Sequence, residues 1–167
     1  MTRRMLVPLT LLVVALGCGR SPGTKLQDQG RSVAELRGML SAPDPETQAR
    51  GALGLHFHGP AAVEAVPELI PLLTSPAPLV RQNAALALGA IGPDARDAVP
   101  GLTALLKDPE WNVRRLAAQA LGRIGPDAKP ALAELARLAH DPSHQVANEA
   151  RDASLKIRGK ANAKPVP

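Results

Sequence analysis

Hydrophobic residues recur along this chain in the same order every 33 residues. Laid over one another without a gap, residues 66–98 and 99–131 agree at 19 of 33 positions. The same alignment continues on both sides of these segments, because one leucine and one proline recur at steps of 33. They are Leu36, Leu69, Leu102 and Leu135, and Pro43, Pro76, Pro109 and Pro142. A fixed period of this length is typical of repeat proteins. The pattern predicts four units, 33–65, 66–98, 99–131 and 132–159.

Two helices are predicted in each unit, and the third unit shows them most clearly. The first spans about Pro100–Lys107, with three leucines on one face, and is broken by Pro109. The second spans about Trp111–Ile124, where apolar positions return every three or four residues. Gly125 is expected to cap it in a left-handed conformation, and Pro126 to prevent its continuation. Because no stretch alternates with period two, we expect no sheet.

The central run of the third unit, residues 108–125 (DPEWNVRRLAAQALGRIG), resembles a HEAT repeat and is most similar to the short HEAT-like repeats of phycobilisome lyases. The resemblance covers residues 33–159. It implies an all-α fold, an α-solenoid of about four helix pairs, with the second helices along a concave face. It does not imply one activity, because fold alone does not determine function.

The outer units depart from the pattern. Gln48 and Ala147 stand where the inner units have Arg81 and Arg114. The last helix carries four charged residues: Glu149, Arg151, Asp152 and Lys156. Polar outer repeats stop a short solenoid from stacking further and keep it soluble. We therefore predict a monomer.

The first residues predict export and lipid attachment. Residues 1–4 are basic and residues 5–16 form an apolar run, which as a helix would cover about 18 Å of a ~30 Å hydrocarbon core. Such a run is typical of a signal peptide, here residues 1–17. It ends in Leu16-Gly17-Cys18, which resembles the bacterial lipobox, in which the cysteine is acylated. The alternative is ordinary secretion with cleavage at small residues.

The segments flanking the repeats are predicted to be irregular. Residues 18–32 are rich in Gly, Ser, Gln and charge and predict a flexible tether. Ser32 and Glu35 have the spacing of a capping box, which predicts that the repeat domain, 33–159, begins there. Residues 160–167 are predicted to be a frayed tail. We expect a lipoprotein anchored through Cys18 that faces the periplasm or the cell exterior, on either membrane.

Composition excludes several classes of protein. Hydrophobic residues make up 45% of the chain but aromatic residues only 1%, so the core must consist of Leu, Val, Ile and Ala. This composition favours closely packed helices over a β-sandwich. The net charge of +5 falls to +3 without Arg3 and Arg4, which is too small to indicate nucleic-acid binding. A single cysteine excludes a disulfide framework.

The sequence contains no recognisable catalytic or metal motif. Gly-x-Ser-x-Gly, His-Glu-x-x-His and a phosphate-binding glycine loop are missing, so we predict no enzyme and no cofactor beyond the lipid. His56 and His58 point to different sides of a helix, and a turn separates His140 from His144, so no metal site is expected. His58 falls where inner units have a core isoleucine, which favours a half-buried structural role.

Three further side chains have two interpretations each. Arg81 and Arg114 could form a basic ladder for an acidic partner. They could instead pair with acidic or carbonyl groups at the turns, with Asp108 as the nearest acid. The second interpretation is favoured because guanidinium groups suit carbonyl-rich helix ends. Trp111 either packs on the neighbouring unit or anchors a partner, and the sequence leaves this open.

The concave face is the predicted binding site. Positions four apart on the second helices, off the core stripe, should line it. We assign to it Leu53, Phe57, Gln82, Leu86, Arg115, Gln119, Arg123, Asn148 and Lys156, with Ala49, Ala90 and Asp152 in the same rows. The first half of this face is apolar and the second half is mostly basic. The alternative is that the tether covers the apolar part and the charges only solvate the face.

The predicted function is that of a membrane-tethered scaffold that binds a protein or peptide partner in the cell envelope. An apolar floor beside a basic end suits an amphipathic or acidic segment. The main alternative is an accessory or chaperone-like subunit of an enzyme, of the bilin-lyase type. A nucleic-acid binder comes third, because the charge is modest and the protein is expected to be exported.

Overall fold

The computed structural model describes residues 30–159 as eight α-helices in four pairs. They are α1 (Val33–Leu40), α2 (Pro45–His58), α3 (Val66–Leu72), α4 (Pro78–Ile91), α5 (Val99–Leu105), α6 (Trp111–Ile124), α7 (Leu132–Leu138) and α8 (His144–Ile157). Three 3₁₀ segments join the pairs: Gly59–Ala65, Gly92–Ala98 and Gly125–Ala131. No strand occurs within these residues, and the predicted all-α fold of repeated helix pairs is confirmed. The predicted signal peptide, Cys18, most of the tether and the tail lie outside the described residues.

The core is a continuous row of aliphatic side chains within and between the helix pairs. Leucines of the short helices and of the long helices are fully buried at the repeated positions, namely Leu36, Leu69, Leu102 and Leu135, and Leu55, Leu88 and Leu121. Because the same positions are buried in successive units, the repeat in the sequence is also the repeat in the packing. Between residues 30 and 159, no helix is both long and apolar enough to span a membrane.

Glycines in the inner long helices allow neighbouring units to approach closely. A Cβ atom on Gly122 would lie 2.9 Å from the Cα atom of Ala153, and one on Gly89 would lie 3.0 Å from the Cα atom of Ala120. The long helices of successive units therefore pack backbone against backbone at this position. A chain poor in aromatic residues can build its core in this way, since small residues bring the aliphatic side chains into contact.

The junctions between units differ from the prediction made for Gly125. This residue has φ 80° and ψ −137°, which is close to an extended region open almost only to glycine and is not the left-handed helical region. Gly92 has the same geometry, with φ 81° and ψ −136°. Pro126 does not prevent helical structure after Gly125. It stands at the start of a 3₁₀ segment, where its missing N–H loses no hydrogen bond.

The first helix of the third unit is also displaced from its predicted span. It begins at Val99 and ends at Leu105, because the 3₁₀ segment leads directly into it and the turn before Pro109 already starts at Leu106. The second helix has the predicted bounds, Trp111–Ile124. At the start of the first unit, Ser32 and Glu35 form the expected capping box.

The first and last units differ from the inner units at two packing positions. In the first unit, Gly51 allows α1 to pack tightly on α2, since a Cβ atom there would lie 2.9 Å from the carbonyl oxygen of Leu36. In the last unit, Arg151 takes the position of a buried alanine of the inner units and donates to the carbonyl of Ala139 at 2.6 Å. A fifth unit would have to bury this charge, which is unfavourable.

Candidate binding surface on the concave face

An apolar groove lies between α2 and α4, on the surface formed by the exposed sides of the four long helices, here called the concave face. The groove has a volume of about 370 Å³. Its lining is Glu46, Ala49, Arg50, Leu53, Gly54 and Phe57 from α2, and Leu79, Gln82, Asn83 and Leu86 from α4. Phe57 and Leu79 are each 53% exposed. Large apolar side chains that cluster on a surface indicate a binding site.

Helical spacing and one buried amide produce the groove. Counted from the first lining residue of each helix, the others lie three, four and seven positions later, and in α2 also eight and eleven, so they share one side of that helix. Among them, Asn83 is buried and its Nδ2 donates to the carbonyl oxygen of Ala49 at 2.8 Å. This bond joins α2 to α4 under the groove. The two walls are therefore fixed relative to each other.

The nine residues predicted for the concave face divide between the groove and the two later units. Leu53, Phe57, Gln82 and Leu86 come together in the groove. The others lie on the later long helices: Arg115, Gln119 and Arg123 on α6, and Asn148 and Lys156 on α8. Of the residues predicted in the same rows, Ala49 also lines the groove, although it is almost fully buried.

Leu79 is the main residue of the groove that sequence reasoning missed. It precedes Gln82 by three residues, so the helical spacing that selected Gln82 could also have found it. Leu79 lies in the first turn of α4, outside the rows of positions four apart that define the predicted face. Glu46 was missed in α2 for the same reason.

The basic half of the face carries three cations in different environments. Arg115 donates from Nε and Nη2 to Oδ1 of Asn112, at 3.2 and 3.0 Å, and Asn112 in turn donates to Oε1 of Gln82 at 2.9 Å. Lys156 Nζ lies 3.0 Å from a carboxylate oxygen of Asp152 on the same helix, an exposed pair that contributes little stability. Arg123 is exposed.

Two histidines lie at the end of α2, close to the groove. The pKa of His56 is below its ordinary value, mainly because the ring is partly desolvated and further because of the positive charge of Arg123, while a hydrogen bond with the Leu86 backbone acts in the opposite direction. His58 is half-buried, as predicted, and its Nε2 lies 2.9 Å from the carbonyl oxygen of Arg31. Within residues 30–159, no three potential ligands converge as a metal site would require.

Arg81 and Arg114 hold successive units together and do not face the groove. Arg81 donates to both carboxylate oxygens of Asp108, at 2.7 and 2.9 Å, and to the carbonyl of Ser75 at 2.8 Å. Arg114 repeats this arrangement one period later with Asp141, at 2.8 and 3.1 Å. The favoured interpretation, pairing at the turns, agrees with the structure. The carboxylate belongs to the turn of the following unit, so each pair is an inter-unit clasp.

The junction between the first and second units has no such clasp, because both of its members are replaced. Gln48 stands in place of the arginine and Ser75 in place of the aspartate. Gln48 still donates to a turn carbonyl, that of Ala42, at 2.8 Å. Ser75 still accepts from the N–H of Ala77, as Asp108 does from the residue two positions after it. An arginine therefore stands at this position in the second and third units, where the turn of the following unit supplies an aspartate to pair with it.

The clasp at Asp141 predicts a loss of stability in acid. Hydrogen bonds from Arg114, and further from the N–H of Ser143, hold the pKa of Asp141 below its ordinary value. Its contribution is therefore complete above about pH 4 and is lost as the pH falls through the lowered pKa of the folded protein. Urea unfolding between pH 7 and pH 2 should show wild type losing more stability than Asp141→Asn. Parallel pH profiles for the two proteins would contradict this.

Trp111 lies at the edge of the face, at the start of α6. It lines a shallow cleft with Arg114 and with residues 142–145, which are the end of a turn and the first two residues of α8. Its side chain nevertheless remains 44% exposed. One side of the indole therefore borders the next unit while the rest is open to solvent.

The helix pairs and the groove together define an α-solenoid scaffold. The sequence profile of the HEAT repeats matches residues 33–96 and 66–155. The chain therefore belongs to the HEAT repeat family. No curated protein matches the chain significantly in sequence.

Several solved structures share the fold. An engineered protein has 29% sequence identity and a TM-score of 0.67 over 77% of this chain, which spans 63% of that protein's length. A designed armadillo repeat protein in complex with the peptide (KR)4 has 19% identity and a TM-score of 0.62, covering 78% of this chain and 70% of its own. The complex of CpcE and CpcF of phycocyanin lyase from Nostoc sp. PCC7120 has 22% identity and a TM-score of 0.58, covering 88% and 70%. The last two similarities show the fold alone.

Proposed function

We propose that this protein is a lipid-anchored scaffold that binds a protein partner of the cell envelope through its concave face. The observation that carries the proposal is the groove between α2 and α4. Phe57 and Leu79 are half-exposed there and line the same groove, whereas the other exposed large apolar side chains of the described residues, Val63, Trp111 and Leu155, lie outside it. A partner that covers these side chains would remove their apolar surface from water and gain affinity from it.

The side chains of the concave face indicate the chemistry of the partner. The designed armadillo repeat protein is a solenoid of similar shape that holds a basic peptide. In the present protein the second half of the face carries Arg115, Arg123 and Lys156, so electrostatic complementarity favours an acidic segment. The alternative of an accessory subunit of bilin-lyase type is supported only by the fold that the phycocyanin lyase complex shares.

Charge reversal on the concave face should abolish partner binding. We expect the double variant Arg115→Glu, Arg123→Glu to retain about a tenth or less of the captured partner, because like charges would then meet across the interface. Lys129→Glu is the control, since Lys129 is exposed on the 3₁₀ segment Gly125–Ala131, outside the concave face. Capture is measured by quantitative mass spectrometry after crosslinking in intact cells, with folding checked by thermal melting. Equal capture by both variants would move the binding site elsewhere.

Support for the membrane anchor comes from the sequence that precedes the repeats, with Cys18 at the lipobox position. We expect Cys18→Ser to leave the protein unprocessed or released, since the acyl chains supply its membrane affinity. Metabolic labelling with a fatty-acid analogue, followed by membrane fractionation, measures both effects. Unlabelled wild-type protein, together with unchanged fractionation of Cys18→Ser, would refute the anchor.

A further inference from the structure

The groove runs along the long helices and not across them. Its lining on α2 extends from Glu46 to Phe57, and these eleven steps along the helix rise about 16 Å. Its lining on α4 extends from Leu79 to Leu86 in the same direction of the chain. The two walls are thus neighbouring helices of successive units, and the groove follows their axes.

A groove of this kind fits a helix better than an extended strand. The backbone groups of α2 and α4 are hydrogen-bonded within their own helices, and the exposed walls are mainly aliphatic and aromatic. An extended peptide lying there would find few partners for its own N–H and C=O groups, which is costly when they are buried. A helix satisfies these groups internally and offers an apolar side with three- and four-residue spacing, which packs between two helices.

We propose that the groove binds an amphipathic helix of about three turns, supplied by the protein partner, with large apolar side chains at i, i+4 and i+7 and a carboxylate at the end that faces Arg123. Three turns, about eleven residues, match the 16 Å length of the groove. This inference rests on the proposed function, because it specifies the segment that the concave face holds.

The charges at the two ends of the groove complement such a guest. Phe57, Ala90 and Arg123 occupy equivalent positions on α2, α4 and α6, 33 residues apart. Only the small side chain of Ala90 stands between Phe57 and Arg123 in this row. The depressed pKa of His56 supports this placement, since the charge of Arg123 contributes to it. At the opposite end stands Glu46, exposed in the first turn of α2. A guest carboxylate therefore fits the Phe57 end, whereas the opposite end carries the acid Glu46 with Arg50 one helical turn later.

The inference is tested by binding synthetic peptides to the intact, unmutated protein. The probes are a panel of twelve-residue amphipathic peptides with Leu or Phe at i, i+4 and i+7, one acidic end and one basic end, each helix stabilised by a side-chain lactam. Each has a matched peptide of the same anchors and charge with a central proline, which cannot form the helix. Binding is measured by fluorescence anisotropy of labelled peptide. We expect the best helical peptide to bind about tenfold or more tightly than its proline counterpart.

Two matched variants locate the site. Leu79→Gln changes an exposed leucine of the groove, and Leu155→Gln changes a leucine that is 41% exposed at the far end of the stack. Glutamine is a good helix former and both sites are open to solvent, so both variants should fold. We expect Leu79→Gln to weaken helical-peptide binding about fivefold or more and Leu155→Gln to leave it unchanged.

Each of the other possible outcomes contradicts either the helical guest or the proposed function. Equal binding of helical and proline peptides, both weakened by Leu79→Gln, would mean an extended guest and would reject the helix while the proposed function stands. Failure of the whole panel to bind would also reject the helix. Binding that neither Leu79→Gln nor charge reversal at Arg115 and Arg123 weakens would reject the concave face itself, and with it the proposed function.

Discussion

Asp108→Ser should lower the free energy of unfolding by about 3–5 kcal/mol, because it removes one partner of a buried ion pair. The side chains of Arg81 and Asp108 are only 12% and 4% exposed, and the guanidinium binds both carboxylate oxygens. Without the carboxylate, Arg81 retains its turn carbonyls but loses its counter-charge in a poorly solvated place. Urea unfolding followed by circular dichroism measures the loss.

The chain itself supplies the control for this experiment. The double variant Arg81→Gln, Asp108→Ser would reproduce the junction that Gln48 and Ser75 already form between the first two units. Glutamine can keep the bond to the turn carbonyl and serine the bond to the backbone N–H, and no charge is left buried. We expect the double variant to recover most of the stability lost by Asp108→Ser. A double variant less stable than the single one would show that the unpaired arginine is not the cause.

Leu88→Ala should destabilise the protein by about 2–5 kcal/mol, because Leu88 is fully buried in the core of the stack and the change leaves a cavity. Leu121 has the same environment one period later, so Leu121→Ala should have a similar effect. Leu155→Ala is the control, since exposed substitutions usually change stability by about 0.5 kcal/mol or less. Melting temperatures unchanged by Leu88→Ala and Leu121→Ala would contradict the solenoid packing.

Local features of the chain were predicted well. The bounds of α6 follow from the apolar spacing between Pro109 and Gly125, and the start of α1 from the capping box at Ser32. Both are set by residues within a few positions of one another, so the signal lies in the sequence itself. The start of α5 was displaced by one residue, since a proline in a first helical turn is equally compatible with a preceding 3₁₀ segment.

The candidate site was predicted in part. Counting positions four apart on the second helices selected Leu53, Phe57 and Leu86, which do meet in the groove. The same rows included Ala49, which also lines the groove but is almost fully buried, and omitted Leu79, which is exposed. Whether a side chain near a helix end is buried depends on how the helices of the neighbouring unit pack against it. The spacing of residues along one helix does not contain that information.

The sequence by itself determined the 33-residue period, the helix pairs and the family, because each unit repeats the local pattern of the one before. Only the tertiary structure decided which charges pair and which apolar residues stay uncovered. Arg81 reaches an aspartate 27 residues further along the chain, and Asn83 reaches a carbonyl 34 residues before it. Both bonds cross between units, so they depend on the distance at which units stack. Between the second and third units, which the pair Arg81–Asp108 joins, that distance is set by the close packing of Gly89 on Ala120.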